Sequence, residues 1–376
     1  MSEQLKKAKI DFDAECPSCG ASIEFNPENG KLTCPYCGHE TEIAKPEDQK
    51  EQVAQEMDFY TAEKRGNFDW GVEKKTVSCS ECGSETVYDA LQVADTCPYC
   101  GSHQVMEAST VNTLAPNGVC TFQITDKEAG VNFHKWLKRR IFTPRAAKIS
   151  AKPNAFKGVY LPYWTFDTKT GSHYTASYGI DRVIKEKDGE TRIETDWYMT
   201  SGFYQEFIDD QLVSASTRYD HDMLRKIEPF NLLDNKSYQP EYVSGFLAER
   251  YSIGLQDGWN IAQQDIHDHI RSQIASKVRF ECGADHVRNV QFSTTYDNIT
   301  YKYLMLPIWL SSFQYKSKVY QFMVNGQTGK VGGKAPISPI RVAIAVMLAG
   351  VMIAIFAYFY GDSEQALNVI TSIMSY

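Results

Sequence analysis

The sequence predicts an α+β protein that carries two small four-cysteine zinc ribbons at its N-terminal end and one transmembrane helix near its C-terminal end. Three observations predict it. Eight of the ten cysteines fall into two clusters of identical spacing, Cys16-x2-Cys19-x14-Cys34-x2-Cys37 and Cys79-x2-Cys82-x14-Cys97-x2-Cys100. The middle of the chain alternates between aromatic, β-branched stretches and stretches of helical period. Residues Val342–Tyr360, VAIAVMLAGVMIAIFAYFY, form a run of 19 without a charge.

The ribbons come first. Each cysteine of the first cluster recurs 63 residues later, so a whole unit is repeated. In C-x2-C spacing two sulfurs of one knuckle reach the same ion, and the long gap is a hairpin that brings back the second pair. Three knuckles read Cys-Pro-x-Cys-Gly (Cys16–Gly20, Cys34–Gly38, Cys97–Gly101), and the fourth is Cys79-Ser80-Glu81-Cys82-Gly83. Proline fixes φ within the knuckle, and glycine permits the positive φ that turns amides toward sulfur. Disulfide pairing is the competing account. Met1–Asp11 is charged and has no apolar core of a secretory signal, which favours a reducing compartment and metal ligation. Zinc is expected ahead of iron, although iron knuckles of the rubredoxin kind share the motif. Four thiolates leave no open coordination position, so both ions are expected to be structural: Cys16, Cys19, Cys34 and Cys37 for one, Cys79, Cys82, Cys97 and Cys100 for the other.

The division reads as ribbon 1 over 1–44, a charged linker over 45–73 and ribbon 2 over 74–110. An α+β domain follows over 111–336, then a transmembrane helix over 340–360 and a tail over 361–376. The net charge of -8 is unevenly spread. Met1–Thr110 holds 10 Lys+Arg against 21 Asp+Glu, whereas Val111–Tyr376 holds 29 against 26. Each four-thiolate zinc centre adds two further negative charges, which brings the ribbon half to about -15. Phosphate neutralisation needs the opposite sign, so nucleic acid is disfavoured as the ribbons' partner, and a protein with a basic surface suits them.

At 1.5 Å per residue the apolar run spans about 28 Å, close to the hydrocarbon core of a bilayer. Lys330, Lys334 and Arg341 precede it, and Gly361–Tyr376 contains no Lys or Arg. The positive-inside rule then leaves the N-terminal bulk in the cytoplasm and the tail outside, in a single pass of the cytoplasmic membrane.

Asp126–Arg140 has acids in its first turn and bases in its last, as the helix dipole favours, and Pro144 is expected to end this helix. No acid occurs between Glu128 and Asp167. Lys135, Lys138, Arg139, Arg140, Arg145, Lys148, Lys152 and Lys157 give that stretch eight positive charges. A solvated face is the plain reading; anionic lipid, the chain's own acidic ribbons and nucleic acid are the alternatives. Gly158–Thr217 reads as strands, with Asp188-Gly189 as a hairpin turn. Asp220–Gln239 reads as irregular. A helix is expected over Glu241–Phe280, broken near Gly254 or Gly258, with Ile266, Ile270, Ile274 and Val278 on its core face. Strands return over Val287–Val331, with Asn325-Gly326 as a turn. Tyr160-Leu161-Pro162-Tyr163-Trp164 is echoed by Met305-Leu306-Pro307-Ile308-Trp309, which suggests two related halves; the prolines predict strand edges or bulges.

Catalytic motifs are lacking. Gly326-Gln327-Thr328-Gly329-Lys330 has two residues between its glycines, where a phosphate loop has four, and Val331 follows the lysine. His267 and His269 do not share a helix face and read as solvated. Cys120 and Cys282 read as buried thiols. An enzyme is therefore not expected.

The duplicated Cys-Pro-x-Cys-Gly ribbons, Thr143-Pro-Arg-Ala-Ala-Lys148, YLPYWTFD at Tyr160–Asp167, GFLAERY at Gly245–Tyr251, YKYLMLPIW at Tyr301–Trp309 and VNGQTGKVGGKAPIS before the apolar helix are together similar to one bacterial family. It is that of the membrane-anchored zinc-ribbon proteins of transcription-factor-IIB type, some labelled helicase- or primosome-related. The resemblance covers nearly the whole chain. It implies an adaptor that brings soluble partners to the membrane, in some members beside envelope-stress proteins. A role in transcription or replication, through nucleic-acid binding, is the alternative.

Overall fold

The computed structural model describes residues 15–44, 53–62, 74–79, 85–89, 105–107, 114–153, 155–185 and 191–360. It is a mixed α/β structure with extensive sheet and few helices. The Asp188-Gly189 turn and the tail 361–376 lie outside the described residues. The strands that flank that turn, β9 (Lys157–Lys185) and β10 (Thr191–Ser214), do pair antiparallel, Lys185 opposite Thr191.

The centre is a crossing of two long strands, β9 and β13 (His286–Tyr315), which run antiparallel over most of their lengths. The two Leu-Pro-x-Trp segments lie directly opposite one another: Leu161 pairs with Leu306, Pro162 with Met305 and Pro307 with Tyr160. Each strand has a second neighbour that changes at its proline. Before Pro162, β9 pairs in parallel with β12 (Leu247–Glu249), and after it antiparallel with β10. Before Pro307, β13 pairs in parallel with β8 (Gly118–Val119), and after it antiparallel with β14 (Lys318–Asn325). The prolines therefore sit neither at an edge nor at a bulge. They sit where the strand exchanges partners, so a missing backbone N–H there does not interrupt a continuous ladder on that side.

The same contacts recur on both sides of this crossing. The Trp164 indole donates to the Ile253 carbonyl at 2.9 Å, and Trp309 donates to Ile124 at 3.0 Å. Ala215 N–H donates to the Pro162 carbonyl, and Gly326 N–H to that of Pro307. The amides of Ser252 and Ile253 donate to Ala215, and those of Gln123 and Ile124 donate to Gly326. Trp164, Tyr160, Tyr163, Tyr301 and Tyr303 are fully buried around the crossing. Burying such aromatic area contributes roughly 1.5–3 kcal/mol per side chain.

Each half carries a helix that follows its short parallel strand. The first, α1 (Asp126–Arg139), starts on a capping box in which Thr125 and Glu128 satisfy each other's backbone amides. It ends at Arg139, and Pro144 instead caps the start of α2 (Arg145–Ser150). Beyond β10, α3 (His221–Arg225) and β11 (Lys236–Ser237), which pairs with β8, lie in the stretch expected to be irregular. The long helix α4 runs over Leu255–Cys282, some fourteen residues shorter at its start than expected. Pro240–Val243 forms a single 3₁₀ turn and β12 follows, because Gly245 takes a positive φ of 81° and Leu247 and Ala248 pair with Val159 and Tyr160 of β9. Ile266, Ile270, Ile274 and Val278 do bury their faces against the sheet. Gly258 lies on the helix face over Trp164; a Cβ there would stand 2.6 Å from the indole. The left-handed Gly283 ends the helix.

The turn at Asn325-Gly326 is wider than a two-residue hairpin. Asn325 N–H donates to the Lys330 carbonyl, and its side chain accepts from the amides of Gln327 and Thr328 before β15 (Val331–Gly333) returns. Asp210, Asn289 and Asn298 take positive φ at the bulges of β10 and β13, a conformation short polar side chains tolerate. The last element, α5 (Pro339–Tyr360), is long and apolar enough to cross a membrane, and its Pro339–Phe356 stretch is not buried against the protein.

Candidate metal centre

Ribbon 1 is a three-stranded sheet of β1 (Glu24–Asn26), β2 (Lys31–Thr33) and β3 (Glu40–Thr41), with Phe25 opposite Leu32. Its apolar content is small: Ile23, Phe25 and Leu32 are buried together with Cys16 and Cys34. The two knuckles are built alike. Gly20 N–H donates to Cys16 O and Gly38 N–H to Cys34 O, with φ +72° and +73° at the two glycines.

These turns bring Cys16, Cys19, Cys34 and Cys37 together with all four sulfurs within 4.8 Å of one another. Cys16 and Cys37 stand 3.6 Å apart, as do Cys19 and Cys34. A disulfide would require about 2.05 Å. Sulfurs bound to one tetrahedral ion at about 2.3 Å lie about 3.8 Å apart. The quartet fits a metal ion and does not fit disulfides. The Cys34 thiol is lowered to about 7, first by the Cys37 backbone amide, with burial opposing and the Tyr36 amide assisting. Backbone amides thus favour thiolate at Cys34, the form that binds metal, whereas at Cys19 the Ala21 amide acts the same way but sulfur hydrogen bonds from Cys37 and Cys34 outweigh it and push that thiol up to about 12.

Of the second quartet, Cys79 lies at the end of β5 (Lys74–Cys79), while Cys82, Cys97 and Cys100 lie outside the described residues. The strands of this module join the main sheet. β5 pairs with β6 (Glu85–Asp89) and β7 (Val105–Glu107), and β6 pairs with β12. Ribbon 1 is attached nearby: Phe25 N–H donates to Ser244 O, the Ser244 hydroxyl donates to Ile23 O at 2.8 Å, and the Phe25 ring meets Tyr242 edge-on.

The segment expected to be a linker is likewise docked where it is described. β4 (Met57–Asp58) pairs with Thr300 and Tyr301 of β13, and Phe59 packs on Phe166 and Trp259. Beside it lies a charge cluster that sequence reasoning missed. Lys302, whose side chain is 7% exposed, bonds Glu56 and reaches Asp210 at 2.6 Å, and Asp167 accepts from the Asp210 amide at 2.7 Å. Glu56, Asp167 and Asp210 are close enough to hold a cation, but the Lys302 ammonium already supplies one. The only signal in the sequence was the pair Asp209-Asp210 inside a strand.

Burial pushes the Asp167 carboxyl from 3.8 up to about 6, with the Asp210 amide opposing and the neighbouring Glu56 adding to the rise. A carboxyl that binds its proton more tightly in the folded chain contributes stability below the ordinary carboxylate range. That contribution is lost as pH rises through about 6. Asp167→Asn is expected to abolish this loss, giving about 1–2 kcal/mol of added stability at pH 8 and little change near pH 4. Denaturant titration at the two pH values measures it.

His267 stacks on Phe292, and His269 reaches Glu206 at 3.1 Å, so the two point to different strands and are not merely solvated. Cys120 is buried, whereas Cys282 is only half-buried.

Compared with known proteins, the chain is 30% identical over 368 residues to the uncharacterized protein YdjG of Bacillus subtilis (strain 168), across 96% of this chain and 97% of that one. No family model matches it, and no solved structure does.

Proposed function

This chain belongs to the same family as the uncharacterized protein YdjG of Bacillus subtilis, and from the chemistry of its own cysteine modules and apolar helix we propose that it is a non-enzymatic, single-pass membrane adaptor. Its tandem ribbons each hold one structural zinc ion and bind a cytosolic protein with a basic surface, in the setting of envelope stress. The α+β domain, built from two related halves, sets the geometry, and α5 anchors the assembly with the N-terminal bulk in the cytoplasm.

The observation that carries this reading is that the first cysteine module is fixed to the main domain yet turns a knuckle outward. Cys19 and Cys37 are exposed, and Tyr36 between the cysteines is 82% exposed, while Ile23 and Phe25 of the same module are hydrogen-bonded to Ser244 and Phe25 packs on Tyr242. A rigid, outward, acidic module on an anchored domain favours capture of a partner at the membrane. Tethering raises the effective concentration there, so the contact need not be tight in solution. Deleting residues 337–376 is expected to release the protein and its partner together into the soluble fraction. A partner that stays on the membrane in cells lacking this protein would contradict the adaptor reading.

A further inference from the structure

At the base of α5 the chain gathers exposed apolar and cationic side chains into one corner. The Ser338 amide donates to the Phe142 carbonyl at 2.9 Å, and Arg341 Nη1 donates to the Ile141 carbonyl at 2.8 Å. The loop between α1 and α2 is thereby held at the level where α5 begins. Ile141 is 71% exposed, Ile149 74% and Ile337 68%, and Phe142 is also exposed.

Cations surround them. Lys138, Arg139, Arg140, Arg145 and Lys152 are exposed, and among the described residues none of them forms an ion pair. The stretch from Ala129 to Phe166 contains no acid that could neutralise them. The corner is also stiff. Lys148 Nζ donates to the Lys138 carbonyl at 2.8 Å, tying α2 to the end of α1, and Phe133 of α1 stacks on Phe322 of the sheet at 4.0 Å.

We infer that this corner is a second membrane contact, in which Ile141, Phe142, Ile149 and Ile337 enter the headgroup layer while Arg139, Arg145, Lys152 and their neighbours bind the phosphates of anionic lipid. Apolar side chains ringed by Lys and Arg are the composition of an interfacial anchor. Cations next to the cytoplasmic end of a membrane helix are drawn to the anionic leaflet. Continuity with α5 selects the membrane as the occupant, because the hydrogen bonds from Ser338 and Arg341 leave the loop no position far from the bilayer surface. The consequence is orientational. A single helix leaves a domain free to swing, whereas a second contact would hold the ribbons at a set height and angle above the membrane.

The inference rests on α5 spanning the bilayer, and the test separates the two. The full chain carrying Ile149→Trp is reconstituted into nanodiscs of phosphatidylcholine alone or mixed with phosphatidylglycerol, with shallow brominated lipids as quencher and the unsubstituted chain as background. The added tryptophan emission is expected to shift to the blue and to be quenched about twofold more in the anionic discs, falling back as salt rises. Adding Arg139→Glu, Arg145→Glu and Lys152→Glu should remove that difference. Added emission from Ile149→Trp that stays that of a water-exposed indole in both lipids overturns the inference, as does duplex DNA that displaces the corner from anionic discs. Extraction of the chain by alkaline carbonate would instead overturn the spanning of α5.

Discussion

Replacing Cys34 by serine is expected to halve the zinc bound per chain and to unfold ribbon 1 while leaving the central crossing intact. The effect should be large because the ribbon has almost no other source of stability. Its buried set is Ile23, Phe25 and Leu32 with Cys16 and Cys34, within about 30 residues. Modules of this size depend on a metal or disulfides, and a structural zinc site contributes on the order of 10 kcal/mol of apparent binding free energy at neutral pH. Cys34 is 1% exposed and lies 3.6 Å from Cys19, so serine would remove a ligand from the buried side of the quartet. Metal analysis should fall from two zinc ions per chain to one, and amide exchange over 23–41 should become fast while Leu161 and Leu306 stay protected. Unchanged exchange in ribbon 1 would mean that its contacts with Ser244 and Tyr242 hold the module without metal.

Lys302→Met is expected to cost about 3–5 kcal/mol, the range for breaking a buried ion pair on one side. The lysine side chain is 7% exposed and bonds both Glu56 and Asp210, so its loss leaves carboxylates without a cation beside Asp167. The damage should spread to residues 54–62, because Glu56 directly precedes β4 and Thr300 also donates to its carboxylate at 3.1 Å. Removing the charges together, as Glu56→Gln, Asp210→Asn and Lys302→Met, should recover most of the loss. Denaturant midpoints for the single and triple variants measure both. Equal loss in the two would show that the lysine stem, and not its charge, holds the segment.

Local chemistry was legible in the sequence and long-range pairing was not. Cysteine spacing located the first quartet, since a knuckle is closed within five residues by its own glycine. The apolar run located α5, and the four-residue repeat of Ile266, Ile270, Ile274 and Val278 located the face of α4. The start of α4 was misplaced because Glu241–Glu249 carries helix-tolerant residues whose conformation is decided by pairing with β6 and β9. The Leu-Pro-x-Trp echo announced a repeat but not its geometry. That Leu161 meets Leu306, and that each proline marks a change of neighbour, depends on residues more than a hundred positions apart. The Lys302 cluster left no more than the pair Asp209-Asp210 as a local sign for the same reason, since Glu56, Asp167, Asp210 and Lys302 share no local motif. Ribbon 1's knuckle was legible in Cys-Pro-Tyr-Cys-Gly, whereas its exposure and the module's attachment through Ser244 were not.

The ribbons are proposed to hold a protein partner at the membrane. Cross-linking mass spectrometry on intact membranes tests it most directly, comparing the native chain with Cys34→Ser. Cross-links from ribbon lysines such as Lys31 to one cytosolic protein with a basic surface are expected, with loss of that protein from the membrane fraction in the variant. Ribbon lysines that cross-link only within this chain, with the same proteins retained on membranes of the variant, would contradict it.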